Sequence, residues 1–273
     1  TPTSTPTPTP QPVLQTATLE VAQGGAAVLR VSAVAASAVA TFEERAIPLS
    51  AKSDGFWGVV GVGADHASGS FPLTVTFFDD AGASFGTMTG TVVVYDRDYP
   101  VEFLYLDPDT SSLLDPALSA QEQAVRSSIF GAVTAERLWS GTFLYPSTGP
   151  ISSPYGIGRS YNDGPVTGFH HGTDFQADEG GLVVASNAGR VVYADALPIR
   201  GLSVIIDHGA GVFTGYHHLS GATVSVGQSV APGDLVGYVG ASGLATGSHL
   251  HWELVVNGVE VDPILWTVDE YGP

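Results

Sequence analysis

Short strand candidates, each closed by a turn-forming break, fill the first third of the chain. They leave an antiparallel β architecture as the simplest way to bury their apolar faces. TATLEVA, AAVLRVSA, VATF, FWGVVGV, FPLTVTFF and GTVVVYD follow one another between Thr16 and Tyr105. Each is apolar over the length of a strand rather than with the 3.6-residue period of a helix. The breaks Gln23-Gly24-Gly25, Ser53-Asp54-Gly55 and Asp79-Asp80-Ala81-Gly82 carry residues that turn the chain, by freedom at φ or by bonding their own backbone. An immunoglobulin-like β-sandwich over residues 16–106 is the expectation. His66, alone in this stretch, reads as structural.

Around that unit the character of the chain changes three times. Residues 1–15 open with TPTSTPTPTPQ, a Pro/Thr repeat that cannot bury apolar surface and is expected to be a disordered, extended stalk. Residues 107–140 read as a helical connector, its helix running from Ser119 to about Ala132 with Ser119 and Glu122 as a capping box. From residue 141 to 273, Pro, Ser and Gly become dense and strands resume, which marks a second β domain. The expected fold is all-β with two domains and one connecting helix, and 273 residues suffice for two cores.

Composition removes several functions. With 27 acidic against 9 basic residues and a formal charge of -18, the chain lacks the clustered cations that neutralise nucleic-acid phosphates or dock on anionic lipid. It contains no cysteine, so any metal must be held by histidine and carboxylate and no thiol nucleophile exists. No apolar run approaches the roughly 20 residues of a membrane-spanning helix.

Seven of the 8 histidines fall between positions 170 and 251. In Phe169-His170-His171-Gly172-Thr173-Asp174-Phe175, an imidazole and a carboxylate stand four residues apart across a glycine. Taken alone, a surface histidine and a turn-capping aspartate would give the same string. In His249-Leu250-His251-Trp252-Glu253, followed by the hairpin dipeptide Asn257-Gly258, a strand is expected. His249 and His251 then share one face while Leu250 takes the other. In Tyr216-His217-His218-Leu219, strict alternation puts Tyr216 and His218 on one face and His217 on the opposite one, so only one of the adjacent histidines can reach a common site. His208, in Asp207-His208-Gly209, reads as a turn residue or a support to the site. Imidazoles plus one carboxylate suit zinc, whose catalytic sites use three protein ligands and an open position. Imidazoles beyond that number can move the protons of a hydrolysis.

HHGTD, YHHLS and HLHWE, in this order and spacing, resemble the lysostaphin-type zinc metallopeptidases that cleave peptidoglycan. The likeness runs through SPYGIGRSYNDG, GGLVVASNAGRVVYA, VGQSVAPGDLVGYVGASGLATGSHLHWE and VDPILW, about Phe143 to Trp266. It implies a β domain with a zinc groove, one Zn2+ per chain held by His170, Asp174 and His251, and His218 and His249 as catalytic histidines. These two would activate the water and stabilise the tetrahedral intermediate. Tyr216 would line the cleft, and Asn162, or another side chain of the 155–165 loop, could occupy the open zinc position in a latent form. The implied activity is hydrolysis of stem or cross-bridge peptide bonds in peptidoglycan by an extracytoplasmic, secreted or envelope-anchored enzyme. A non-catalytic envelope protein with structural zinc, binding wall peptide or activating another hydrolase, is the alternative.

Overall fold

A computed structural model describes residues 12–273; the Pro/Thr repeat of residues 1–11 lies outside the described residues. The first nine strands are β1 (Val13–Leu14), β2 (Thr18–Ala22), β3 (Ala26–Ser32), β4 (Ser37–Phe42), β5 (Arg45–Pro48), β6 (Ser50–Lys52), β7 (Gly55–Gly61), β8 (Gly69–Phe78) and β9 (Ser84–Tyr95). They form two sheets, ordered β1-β3-β7-β6 and β2-β9-β8-β4-β5. Between the sheets lie Leu29, Val31, Phe42, Val60, Val75 and Phe77, all fully buried, so the expected sandwich is present. His66 packs against Phe42 and Phe71 at 5.7 and 4.7 Å between ring centroids, the structural role expected of it.

Strand β7 explains why FWGVVGV is continuously apolar rather than alternating. Phe56 and Val60 face the sandwich interior. Trp57 and Val59 point the other way, into a cluster with Trp139, Val212, Leu254, Val256, Val261 and Trp266. A strand covered on both faces has no polar side to show.

After the sandwich come β10 (Val101–Leu104) and the helices α1 (Pro108–Ser111) and α2 (Pro116–Phe130). Two sequence expectations change here. Strand β10, read as the end of the first domain, instead pairs in parallel with β12 (Gly158–Tyr161), placing Glu102 beside Arg159 and Leu104 beside Tyr161. Helix α2 starts three residues early: Asp115 caps it by accepting from Ala117 N at 2.8 Å, with Pro116 at the first helical position. A carboxylate followed by proline is as good a start signal as a capping box. Ser119 therefore lies inside the helix, and Glu122 is committed elsewhere.

The second half is built on a large sheet. Its spine follows β11 (Ile151–Ser153), β14 (Thr173–Gln176), β21 (His249–Val256), β18 (Val212–Ala222), β17 (Gly201–Gly209), β16 (Gly189–Leu197) and β19 (Ser229–Val230). Strand β13 (Val166–Phe169) adds to β12, and β15 (Leu182–Val184) and β20 (Leu235–Val239) pair with each other. The Asn257-Gly258 turn joins β21 to β22 (Val259–Val261) with φ of 48° and 82°, the left-handed pair such a tight hairpin requires. A short α3 (Leu265–Val268) follows. Among the described residues no helix is long and apolar enough to cross a membrane.

Candidate metal centre

Three neighbouring strands assemble the site. Asp174 on β14 is directly opposite His251 on β21, and His251 is directly opposite His217 on β18. Residues opposite one another project from the same face, so a carboxylate and two imidazoles form a row across the sheet. The other face carries Leu250, Trp252 and Tyr216, all 0% exposed. His249 and His251 share a face, as their i, i+2 spacing requires. His170 enters from the loop after β13. Gly172 lets it approach for a reason of space: a Cβ there would lie 2.5 Å from the Trp252 carbonyl oxygen and 2.7 Å from His251 Cε1.

His170 Nε2, Asp174 Oδ1 and His251 Nδ1 converge. The separations are 3.0 Å between His170 and Asp174, 3.0 Å between His170 and His251, and 2.7 Å between His251 and Asp174. Among the described residues these three form a group able to hold a metal ion. Each is oriented from behind. His170 Nδ1 donates to the Pro154 carbonyl at 2.9 Å, and His251 Nε2 donates to Glu253 Oε1 at 3.1 Å, so the opposite nitrogen of each ring faces the centre. Arg159 Nη2 lies 3.3 Å from Asp174 Oδ2 and leaves Oδ1 inward. Burial pushes His170 down to about 4 and so keeps it neutral. His251 is raised against its burial by hydrogen bonds to Asp174 and Glu253. Burial alone would raise Asp174, but His170 and His251 hold it well below the carboxylate range. Lone pairs meeting this closely repel unless a cation lies between them, and two imidazoles with one carboxylate are a zinc donor set. The residues fit the ion.

His218 and His249 flank this group. Their rings are 4.8 Å apart, and His218 is 5.9 Å from the His251 ring. His249 Nε2 lies 3.9 Å from Asp174 Oδ1. His218 Nδ1 donates to the Ser242 carbonyl at 2.7 Å and His249 Nδ1 to the Gly247 carbonyl at 2.8 Å, which turns both Nε2 atoms toward the cleft. Burial first, then the neighbouring imidazoles of His249 and His251, push His218 well below its ordinary value.

Four sequence expectations are corrected. Alternation fails at His218, whose φ is 60°; the pairing of β18 with β17 shifts register there. Both His217 and His218 consequently reach the His251 side, with the His217 ring 5.6 Å from His251. Tyr216 does not line the cleft: it is 0% exposed, and its hydroxyl bonds Ser186 N, Ser186 Oγ and Thr214 Oγ1 in the core. Asn162 is exposed in a turn, its amide bonded to Leu106 N and Ser111 Oγ, and it is not part of the converging group. His208 is a buried strand residue between the Ala188 carbonyl and Thr214 Oγ1, held at about 4 by burial, and supports the core rather than the site. His171 lines the cleft without joining the cluster.

Beneath the row lies an ionic layer that the motif reading missed. Glu253 is fully buried and pairs with His217, His251, Arg200 and Arg126. Burial alone would raise its carboxyl, but Arg126, Arg200 and His217 hold it well below the ordinary range. The available signal was Glu122 and Arg126, two opposite charges one turn apart on a helix with no other charged residue. Above the row opens a cleft of about 540 Å³. Its lining includes Glu102, Leu104 and Leu106 from β10 and the segment after it, and Thr246 and Ser248 on the opposite loop.

The matching family model is Peptidase family M23, over residues 168–263. The chain is 39% identical over 119 residues to the peptidoglycan DD-endopeptidase ShyA of Vibrio cholerae, covering 41% of this chain and 28% of that protein. It is 38% identical over 117 residues to the DD-carboxypeptidase/endopeptidase Mpg of Neisseria meningitidis, covering 42% and 26%. It thus spans less than a third of the length of these curated relatives. A solved Pseudomonas aeruginosa chain described as a peptidase M23 superposes with a TM-score of 0.66 and 26% identity, covering 90% of this chain and 94% of that one. The fold and the converging His-Asp-His group agree with this match: residues 168–263 are similar to peptidase family M23, and that segment holds His170, Asp174 and His251.

Proposed function

We propose that this chain is a zinc metalloendopeptidase that hydrolyses stem or cross-bridge peptide bonds of bacterial peptidoglycan. His170, Asp174 and His251 would hold the ion. The observation that carries the reading is the convergence of these three acceptors within 3.0 Å, with two further imidazoles aimed at the same space. The names of the relatives, a peptidoglycan DD-endopeptidase and a DD-carboxypeptidase/endopeptidase, support the substrate class.

Zinc in such a site supplies Lewis acidity toward water and toward a peptide carbonyl. The chain's own groups handle the protons. His218, neutral by burial, offers Nε2 as an acceptor, and His249, on the more open side of the cleft, is placed to stabilise developing charge or deliver a proton to the departing amine. With their rings 4.8 Å apart, both imidazoles border the same part of the cleft and can act on one reacting group there. Residues 16–106 would form an immunoglobulin-like domain, residues 107–140 the connector and residues 141–273 the catalytic domain. The setting would be extracytoplasmic.

The roles are separated by two substitutions assayed on purified sacculi. His170→Ala is expected to lose both stoichiometric zinc and hydrolysis. His249→Ala is expected to keep zinc while hydrolysis falls by a factor of about 100 or more, in the range of lost acid-base assistance. Retained hydrolysis in either variant, or lost zinc in the second, contradicts this assignment.

A further inference from the structure

Glu253 stands two residues after His251 on β21, fully buried, and each of its oxygens serves one histidine and one arginine. Oε1 accepts from His251 Nε2 at 3.1 Å and from Arg200 Nε at 2.6 Å. Oε2 accepts from Arg126 Nη1 at 2.7 Å and lies 3.2 Å from His217 Nε2. A carboxylate gripped on both oxygens cannot rotate, and this one fixes which nitrogen of His251 faces the centre. Arg126 comes from α2, upstream of the matched segment, and is 1% exposed. Its second guanidinium nitrogen reaches Glu260 at 2.6 Å and its plane lies over Phe130. One turn earlier on α2, Glu122 binds Arg200 and accepts from Ile199 N and Arg200 N, so the helix sets the position of both cations.

We propose that Arg126 is a positioning residue for the metal centre, acting through Glu253 on the His251 ring, so that the catalytic unit extends upstream to α2. The proposal rests on His251 being a zinc ligand. Groups behind metal-binding histidines tune affinity by about 10–100-fold when altered, and a bidentate guanidinium has no equivalent in lysine.

The test measures zinc affinity by competition with a chelator, and thermal stability of the metal-free protein, on the full chain. Arg126→Gln is expected to lower zinc affinity about tenfold or more. Arg126→Lys, which keeps the charge and loses the fork, is expected to fold and to fall between Arg126→Gln and wild type. Glu260→Gln removes the other half of the Arg126 contact without touching Glu253, and is expected to lower stability while zinc affinity stays within about twofold. Unchanged affinity in a folded Arg126→Gln, or in Arg126→Lys should the first not fold, overturns the proposal. So does an equal affinity loss in Glu260→Gln, which would mark general loosening. A wild-type chain that takes up no zinc overturns the metal reading itself, and this proposal with it.

Discussion

At His218 the backbone passes through φ of 60°, and two consecutive histidines thereby come to one side of the sheet. Alternation along a strand is a rule about regular backbone, and a bulge cancels it without leaving a mark in the side-chain pattern. His249 and His251 were legible as sharing a face because their i, i+2 spacing on β21 involves no such irregularity, and the ligand set His170, Asp174 and His251 came from the family resemblance, whereas the place of His218 depended on the bulge and the support from His217 and Glu253 on long-range pairing. The glycine of HHGTD answers a lack of space, which the sequence alone does not show. Gly172→Ala would place a methyl 2.7 Å from His251 Cε1, closer than van der Waals contact allows. The expected outcome is zinc affinity reduced at least tenfold with the far-ultraviolet circular dichroism retained. A variant that binds zinc as wild type does would show that the 170–174 segment yields freely.

Helix α2 is the element whose position in sequence concealed its role. Periodicity marks it as a helix, and Ser119 with Glu122 fits a capping pattern, but pairing Glu122 with Arg200, 78 residues away, can be read only from the folded chain. With Asp115 as the cap, Asp115→Ala is expected to cost about 1 kcal/mol of stability. Ser119→Ala, inside the helix and exposed, is expected to cost nothing beyond about 0.5 kcal/mol. Urea denaturation of both variants decides it, and the reverse ranking would restore the capping-box reading. Strand β10 makes the same point for sheets: VEFL lies inside the range expected of the sandwich, residues 16–106, and its parallel pairing with β12, Val101 beside Gly158, shows only in the folded chain.

Across the whole molecule the two halves share a core and a cleft. Trp57 and Val59 of the sandwich pack with Trp139, Leu254, Val256 and Trp266, and Glu102, Leu104 and Leu106 line the space above the histidine row. The sandwich, the second β unit and the helix between them were legible from strand length, turn residues and helix signals. Their fusion showed only as the unbroken apolar run of β7, whose second face found its partner in the second half. The cleft therefore takes its shape from both halves, while the chemistry proposed for it rests on one zinc ion and its imidazoles. The most direct measurement is mass spectrometry of the soluble peptides released from purified sacculis by the zinc-loaded full chain, with and without chelator. The expected result is peptides bearing new amino termini, abolished by the chelator and restored when zinc is added back. Zinc-loaded protein that binds sacculi and releases no such peptide, or release that persists in chelator, would contradict hydrolysis at this site.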